Sequence, residues 1–354
     1  MAIPAQANPV KDRLNSSLNS IESNLSEASR LLNEAESGLN TLDASIGGLA
    51  GRLSTVRGRG YAAMGHLDQT IKILTEKWAA VGPGVRQSLA NGAGPMRGQI
   101  AGAQSEANTL REMIAMDNYP VAEGMAAQLS SRSESIKSSA SREAAQAMAP
   151  IRDLNTTLGA VERDLKLAET TVDLFAQAAF PMQQQESPVL AIEGKLMEGE
   201  KCHGTLYFTN HRFVFEGQKE VVLEKHFLIV TKKRIERVMM IERPVGAVHQ
   251  ISKGRVGLIA GIGVFVEFKP EVGLPVTPFD VKGWEADVIT RFFKYITGGE
   301  ADRDIAAAHG VTNPVAPTIK LARCPACGAP HNGEIYQGQT SVQCEYCGAA
   351  VAIT

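Results

Sequence analysis

Four cysteines near the C-terminus carry the clearest chemistry in this chain. They form two pairs, Cys324-Pro-Ala-Cys327-Gly and, sixteen residues later, Cys344-Glu-Tyr-Cys347-Gly. Two thiolates on one tight turn can reach a single tetrahedral ion, and a second such turn completes a four-sulfur shell. Gly328 and Gly348 follow the second cysteine of each pair, where such a turn often needs a left-handed residue. Residues 333–338 and 340–343 read as short strands around a glycine turn. A segment of about thirty residues cannot bury a sufficient core alone, so ligation would supply its folding energy. Cys324, Cys327, Cys344 and Cys347 are therefore the expected metal ligands, with Zn2+ as a structural ion. Four thiolates leave no open position for water, which argues against a catalytic metal. The same residues could instead form two disulfides or a redox C-x-x-C. His331 is expected at the surface rather than in the shell, and Cys202 as a small core or strand residue.

The stretch from 324 to 354 resembles zinc ribbons of the C-P-x-C-G type. That resemblance implies zinc but not a function, since such ribbons occur in transcription factors, ribosomal proteins and adaptors. From Cys324 to Thr354 the chain has no Lys or Arg, while Glu334 and Glu345 are acidic. A ribbon that binds nucleic acid is expected to offer basic side chains to phosphates. A protein-binding or purely structural ribbon is the better reading, and nucleic acid is the less favoured partner.

The elements that must carry this centre divide the rest of the chain into three parts. Residues 1–183 read as an all-α coiled coil or helical bundle. Leu14, Leu18, Ile21, Leu25, Ala28, Leu32, Ala35, Leu39, Leu42, Ile46, Leu49, Leu53 and Val56 recur at alternating steps of four and three, a heptad seam. A four-residue step at Gly60 reads as a stutter, after which Met64, Leu67, Ile71, Leu74, Trp78 and Val81 resume the seam. Gly82-Pro83-Gly84 reads as a helix break and reversal. A second helical stretch covers 85–116 and a third 121–182, with Pro150 expected to kink or restart it. An antiparallel bundle is expected, and a homo-oligomer through the first seam is open. The scattered acids and His66 show no catalytic constellation.

Composition changes at Gln183-Gln-Gln-Glu-Ser-Pro188. Residues 188–298 hold strand-like runs over 189–197, 202–216, 221–229, 235–241, 246–251 and 263–269. An amphipathic helix from Trp284 to Thr297 follows, with Trp284, Val288, Ile289, Phe292, Phe293 and Ile296 on its apolar side. Short antiparallel strands closed by one C-terminal helix give the plan of a pleckstrin-homology-like barrel. Gly204, Leu206, Tyr207, Thr209, Arg212 and Phe215 match a G-x-L-Y-x-T-x-x-R-h-x-F hairpin, where h is apolar, and so resemble the GRAM branch of that superfamily. The resemblance implies an adaptor that docks on lipid or protein. The residues also read structurally, with 209–212 as the hairpin turn and Leu206, Phe208, Phe213 and Phe215 facing the core. Residues 299–320 read as a flexible linker and 321–354 as the ribbon domain.

The net charge of −2 gives no global pull toward nucleic acid or membrane. Between 225 and 255, however, eight basic residues face two acidic ones. Lys232, Lys233, Arg234, Arg237, Lys253 and Arg255 are the candidate lipid-binding residues, with Thr231–Arg234 placed between two strands. The run Gly257–Gly263 is expected as a buried strand with a glycine bulge, with a membrane-dipping loop as the alternative. No enzyme motif stands out, so the chain is expected to be a non-enzymatic adaptor, with protein partners and anionic lipid ahead of nucleic acid. The alternative is a transcription-associated zinc-ribbon factor. The N-terminus lacks a signal-peptide pattern and residues 256–266 are too short to span a bilayer. A cytoplasmic location follows, with peripheral attachment to the inner membrane face open.

Overall fold

The computed structural model describes residues 8–199, 201–226, 229–257, 261–310, 323–331, 333, 335–339 and 341–353, the side chains of 220–234 excepted. The chain divides into two compact units, residues 1–50 with 70–161, and residues 51–69 with 162–354. The helices are α1 (Pro9–Gly58), α2 (His66–Ala115), α3 (Tyr119–Met148) and α4 (Arg152–Phe175).

In the first unit the heptad seam becomes the core. Its seam residues from Leu14 to Leu49 are all buried, as are Leu53 and Val56, which belong to the second unit. Leu14 to Leu32 pack against Ala93 to Ile114 of α2 and Ala122 to Ala140 of α3. Ion pairs record the directions of the helices: Glu36 with Arg97 at 2.7 Å and Asp43 with Arg86 at 2.8 Å set α2 antiparallel to α1. The ion pair of Arg13 with Glu123, and a hydrogen bond donated by Asn24 to the Ser133 hydroxyl at 3.4 Å, set α3 parallel to α1. Such exposed pairs contribute roughly 0–1 kcal/mol each, so the buried seam dominates. Small residues such as Ala28, Ala93, Ala103 and Ala140 let the backbones approach.

Two expectations about helix ends need correcting. Gly82-Pro83-Gly84 does not break the chain, because α2 runs through both Pro83 and Pro95. The two rings sit on the exposed face, and the carbonyls they leave without partners belong to Ala79 and Asn91, also exposed, where water can satisfy them. The reversal lies instead at Gly60, read above as a stutter, which takes a left-handed φ of 88°. Pro150 does restart the helix, through a short 3-10 turn over Ala149–Ile151.

The second unit clasps that reversal. Arg57 donates to the carbonyls of Tyr61, Ala63 and Met64 at 2.8, 2.6 and 3.1 Å. The buried Tyr61 hydroxyl donates to the Val189 carbonyl at 3.0 Å, and burial pushes its pKa well up. The Met64 amide donates to the Tyr295 hydroxyl at 2.9 Å, and that hydroxyl donates to Asp304 at 2.6 Å.

Its strands are β1 (Pro188–Leu196), β2 (Cys202–Thr209), β3 (Arg212–His226), β4 (Ile229–Pro244), β5 (Val248–Val256), β6 (Gly261–Phe268) and β7 (Thr277–Asp280). They form one antiparallel sheet in the order β4-β3-β2-β1-β7-β6-β5. Two meanders, β1–β4 and β5–β7, joined where β7 pairs with β1 and followed by α5 (Gly283–Thr297), give the pleckstrin-like plan. Leu206 pairs with Phe215 and Phe208 with Phe213, stacking their rings toward Phe268 and Phe279 in the core. The opposite face of the same strands, Ala191, Tyr207 and Val214, lies under Phe175 and Phe180. With both faces covered, β2 reads as a near-continuous apolar run rather than an alternation. Helix α5 buries Ala286, Ile289, Phe292, Phe293 and Ile296, whereas Trp284, in its first turn, stays 58% exposed.

Residues 299–320 are not wholly a linker. Helix α6 (Glu300–Ala308) buries Ala301 and Ile305, and residues 311–320 lie outside the described ones. The ribbon's paired strands are β8 (Ser341–Gln343) and β9 (Ala350–Ala352), while the described residues of the expected strand at 333–338 form no strand and turn at 337–338. Of the run 257–263, the part from Gly261 belongs to β6, with Ile262 46% exposed, and 258–260 lie outside the described residues. Among the described residues no helix is long and apolar enough to cross a membrane.

Candidate metal centre and basic arm

Each cysteine pair folds into the same turn. The Cys324 amide donates to the Ala329 carbonyl at 2.8 Å and the Gly328 amide to the Cys324 carbonyl at 2.8 Å. In the second pair, Cys344 and Ala349, and Gly348 and Cys344, repeat these bonds at 2.9 and 2.8 Å. Both turns close only because Gly328 and Gly348 hold φ of 75° and 72°, a conformation costly for a side chain.

The duplication brings all four sulfurs within 4.8 Å of one another. The Sγ atoms of Cys324 and Cys347 lie 3.8 Å apart, and those of Cys327 and Cys344 3.6 Å. A tetrahedral ion with metal–sulfur bonds of about 2.3 Å requires sulfurs about 3.8 Å apart, so the cluster is sized to hold a metal ion. Neither separation is a disulfide bond, and none of the five cysteines is disulfide-bonded. Backbone amides of Cys347 and Tyr346 point at the Cys344 sulfur and pull its pKa down to about 7. The Ala329 amide likewise favours the Cys327 thiolate, but the neighbouring sulfurs of Cys347, Cys344 and Cys324 outweigh it and push that thiol up to about 12. Four thiols this close resist sharing negative charge unless a cation is present. The core beneath is small: Cys324, Cys344, Val342 and Val351, flanked by Ile335 and Ile353. His331 is half-buried, stays outside the sulfur cluster, and has a buried Nε2 with no hydrogen-bond partner among the described residues.

The six basic candidates do not form one loop. Thiol chemistry aside, their placement follows from β4, which is continuous from Ile229 to Pro244, so Lys232, Lys233 and Arg234 are strand residues and not a loop between strands. Pairing explains the error, because the long partner strand β3 extends regular structure past Ile229. Among the described residues, β3 is bonded only to β4 beyond the Gly204–Gly217 pair, so the two strands form an arm. In it Arg234 faces Val221, Lys233 faces Val222 and Lys232 faces Glu224 across the ladder. The side chains of these three lie outside the described residues. Arg237 donates to the Gln177 carbonyl and lies 3.7 Å from Glu216. Lys253, on β5, is paired with Asp287 at 2.7 Å, and Arg255 on the same strand is exposed.

A feature not visible from the sequence is the partner of the hairpin arginine. Arg212 is buried and makes a forked pair with Glu186, Nε to Oε1 at 2.7 Å and Nη2 to Oε2 at 2.6 Å. It also reaches Glu242 and the Pro181 carbonyl. The Thr209 hydroxyl donates to Glu186 at 2.7 Å and accepts from the Arg212 amide at 2.7 Å. Burial alone would raise the Glu186 pKa; the hydrogen bonds from Arg212 override it and hold the carboxyl below its ordinary value. These contacts bind the segment before β1 to the β2–β3 turn, which makes Thr209 and Arg212 structural residues. Only the composition break at 183–188 hinted that this segment mattered.

No protein-family model matches the chain, and no curated protein does. Among solved structures, it is similar to the DH/PH domains of p115-RhoGEF at 9% identity and a TM-score of 0.23, covering 79% of this chain and 98% of that one. It is similar to autoinhibited Vav1 at 11% identity and a TM-score of 0.26, covering 99% of this chain and 70% of that one. At those scores neither neighbour bears on what this chain does.

Proposed function

We propose that the chain is a non-enzymatic adaptor whose GRAM-like barrel docks on anionic lipid through the β3–β4 arm, and whose ribbon is held by a structural Zn2+. The observation that carries this reading is the arm itself. It places Lys225, Lys232, Lys233 and Arg234 on two paired strands to which, among the described residues, no third strand is bonded. Each basic side chain near an anionic leaflet contributes on the order of 1 kcal/mol. Arg237 and Lys253, occupied with Gln177 and Asp287, contribute to folding rather than to docking. Four soft thiolates in a tetrahedral arrangement favour zinc over harder ions.

Co-sedimentation of the full chain with neutral and anionic vesicles tests the proposal. Wild type is expected to bind anionic vesicles in a salt-sensitive way. The triple variant Lys232→Glu, Lys233→Glu, Arg234→Glu is expected to lose roughly 100-fold or more in affinity. Equal, weak binding of folded wild type to both vesicle types would overturn the lipid reading and leave a protein partner.

A further inference from the structure

The ribbon is not merely tethered to the barrel. Its turn, Tyr336-Gln337-Gly338-Gln339, is closed by the Gln339 amide donating to the Tyr336 carbonyl at 3.0 Å, and it seats against the end of the sheet. The Gly246 amide, in the connection between β4 and β5, donates to the Gln337 carbonyl at 3.0 Å. The Gln337 side chain donates to the Ile296 carbonyl at 3.4 Å and to Asp302 at 3.3 Å. Asp302 in turn accepts from Asn210 of the β2–β3 turn at 3.0 Å. The Lys269 ammonium lies 4.7 Å from the Tyr336 ring centre, a cation–π distance.

Two glycines make this approach possible from opposite sides. A Cβ at Gly246 would stand 2.5 Å from the Gln337 nitrogen. A Cβ at Gly338, whose φ is 82°, would collide with the His211 carbonyl. Backbone meets backbone in both places, a fit that tolerates no side chain. The ribbon presenting this turn has two strands of three residues and a core of a few side chains. Such a small fold depends on its metal for order.

We infer that the ribbon is a metal-dependent latch: with the cysteines loaded, the 336–339 turn is held against His211, Gly246 and Asp302, and loss of the ion releases that end of the barrel. The β2–β3 turn and the β4–β5 connection are then covered in the loaded protein and open in the metal-free one.

Hydrogen exchange on the full chain, read peptide by peptide, tests this. Chelating the ion is expected to speed exchange at least tenfold in peptides covering 209–212, 245–247 and 335–339, while β1 and β6 keep their protection. Gly246→Val, on the barrel side, is expected to speed exchange in 209–212 and 335–339 while the chain still binds Co2+ with the absorption of a four-thiolate site. Gly338→Val should do the same from the ribbon side. Unchanged exchange at 209–212 and 245–247 after chelation would overturn the latch. So would a Gly246→Val chain that keeps wild-type protection at 335–339. Retained protection of β1 in each sample separates release from unfolding.

Discussion

Two kinds of turn in the barrel unit are stabilised by opposite means. The cysteine turns of the ribbon surround a handful of buried side chains and converge four thiolates. The β2–β3 turn sits at the edge of a core of five phenylalanines and is held by a buried arginine–glutamate pair with no need of an ion. Where apolar burial is large, the polar device needs only to fix the register of a turn and the path of the 181–187 segment. Where burial is small, the device must supply the folding energy itself. The size of the surrounding core decides which kind of residue a turn must carry.

The sharpest way to break this contrast is to remove one ligand. Cys344→Ser should abolish ordered metal binding and unfold the ribbon, forfeiting on the order of 10 kcal/mol of binding-coupled folding energy. Metal content and protection of 341–353 report it, and the strands of the barrel should survive. At the other turn, Arg212→Ala leaves Glu186 buried without its partner and should cost about 3–5 kcal/mol in a denaturant titration. Replacing both partners by apolar residues of similar volume, Arg212→Met with Glu186→Leu, should recover much of that loss. A recovery would show that the pair specifies the turn rather than powering the fold.

Acid sharpens the comparison further. Glu186 has a folded pKa lowered from 4.5, so the unfolded chain binds more protons near that pH. Its contribution is present above about 4.5 and is lost as pH falls through the lower, folded value. His211, held neutral by burial with its pKa lowered from 6.5, adds a loss of the same sign that begins nearer 6.5. Stability should therefore decline as pH falls below about 6, and Glu186→Gln should flatten the more acidic part of the curve. The smallest expected effect is at the α1–α2 reversal. Tyr61→Phe leaves the Val189 carbonyl without its donor and should cost about 1 kcal/mol, measured by thermal unfolding.

Much of this organisation was legible because it is periodic or punctuated. The seam from Leu14 to Val56 runs through thirteen positions, and repetition survives local exceptions. The cysteine pairs announce themselves by spacing, and Leu206 with Phe208, then Phe213 with Phe215, keep the two-residue step of a strand on either side of the hairpin turn. What escaped were features set by tertiary context. Gly60 and Gly82 look alike in sequence, yet of the two Gly60 turns the chain, since Arg57 gathers the carbonyls of Tyr61, Ala63 and Met64 around it. Pro83 is tolerated because its ring and the carbonyl it frees both face solvent. Glu186 sat in a polar stretch with the look of a linker, and nothing local says that Arg212, 26 residues on, will reach it. The docked turn at 336–339 depends on Gly246, far away in the chain, and no spacing rule could connect them.

Native mass spectrometry of the intact chain tests the central contrast most directly. One zinc ion per chain, with all five thiols alkylatable after chelation and a metal-free Cys344→Ser variant, is the predicted result. A metal-free wild type whose mass shows the hydrogens of two disulfides missing would contradict it, because the ribbon would then be held by covalent bonds and not by an ion.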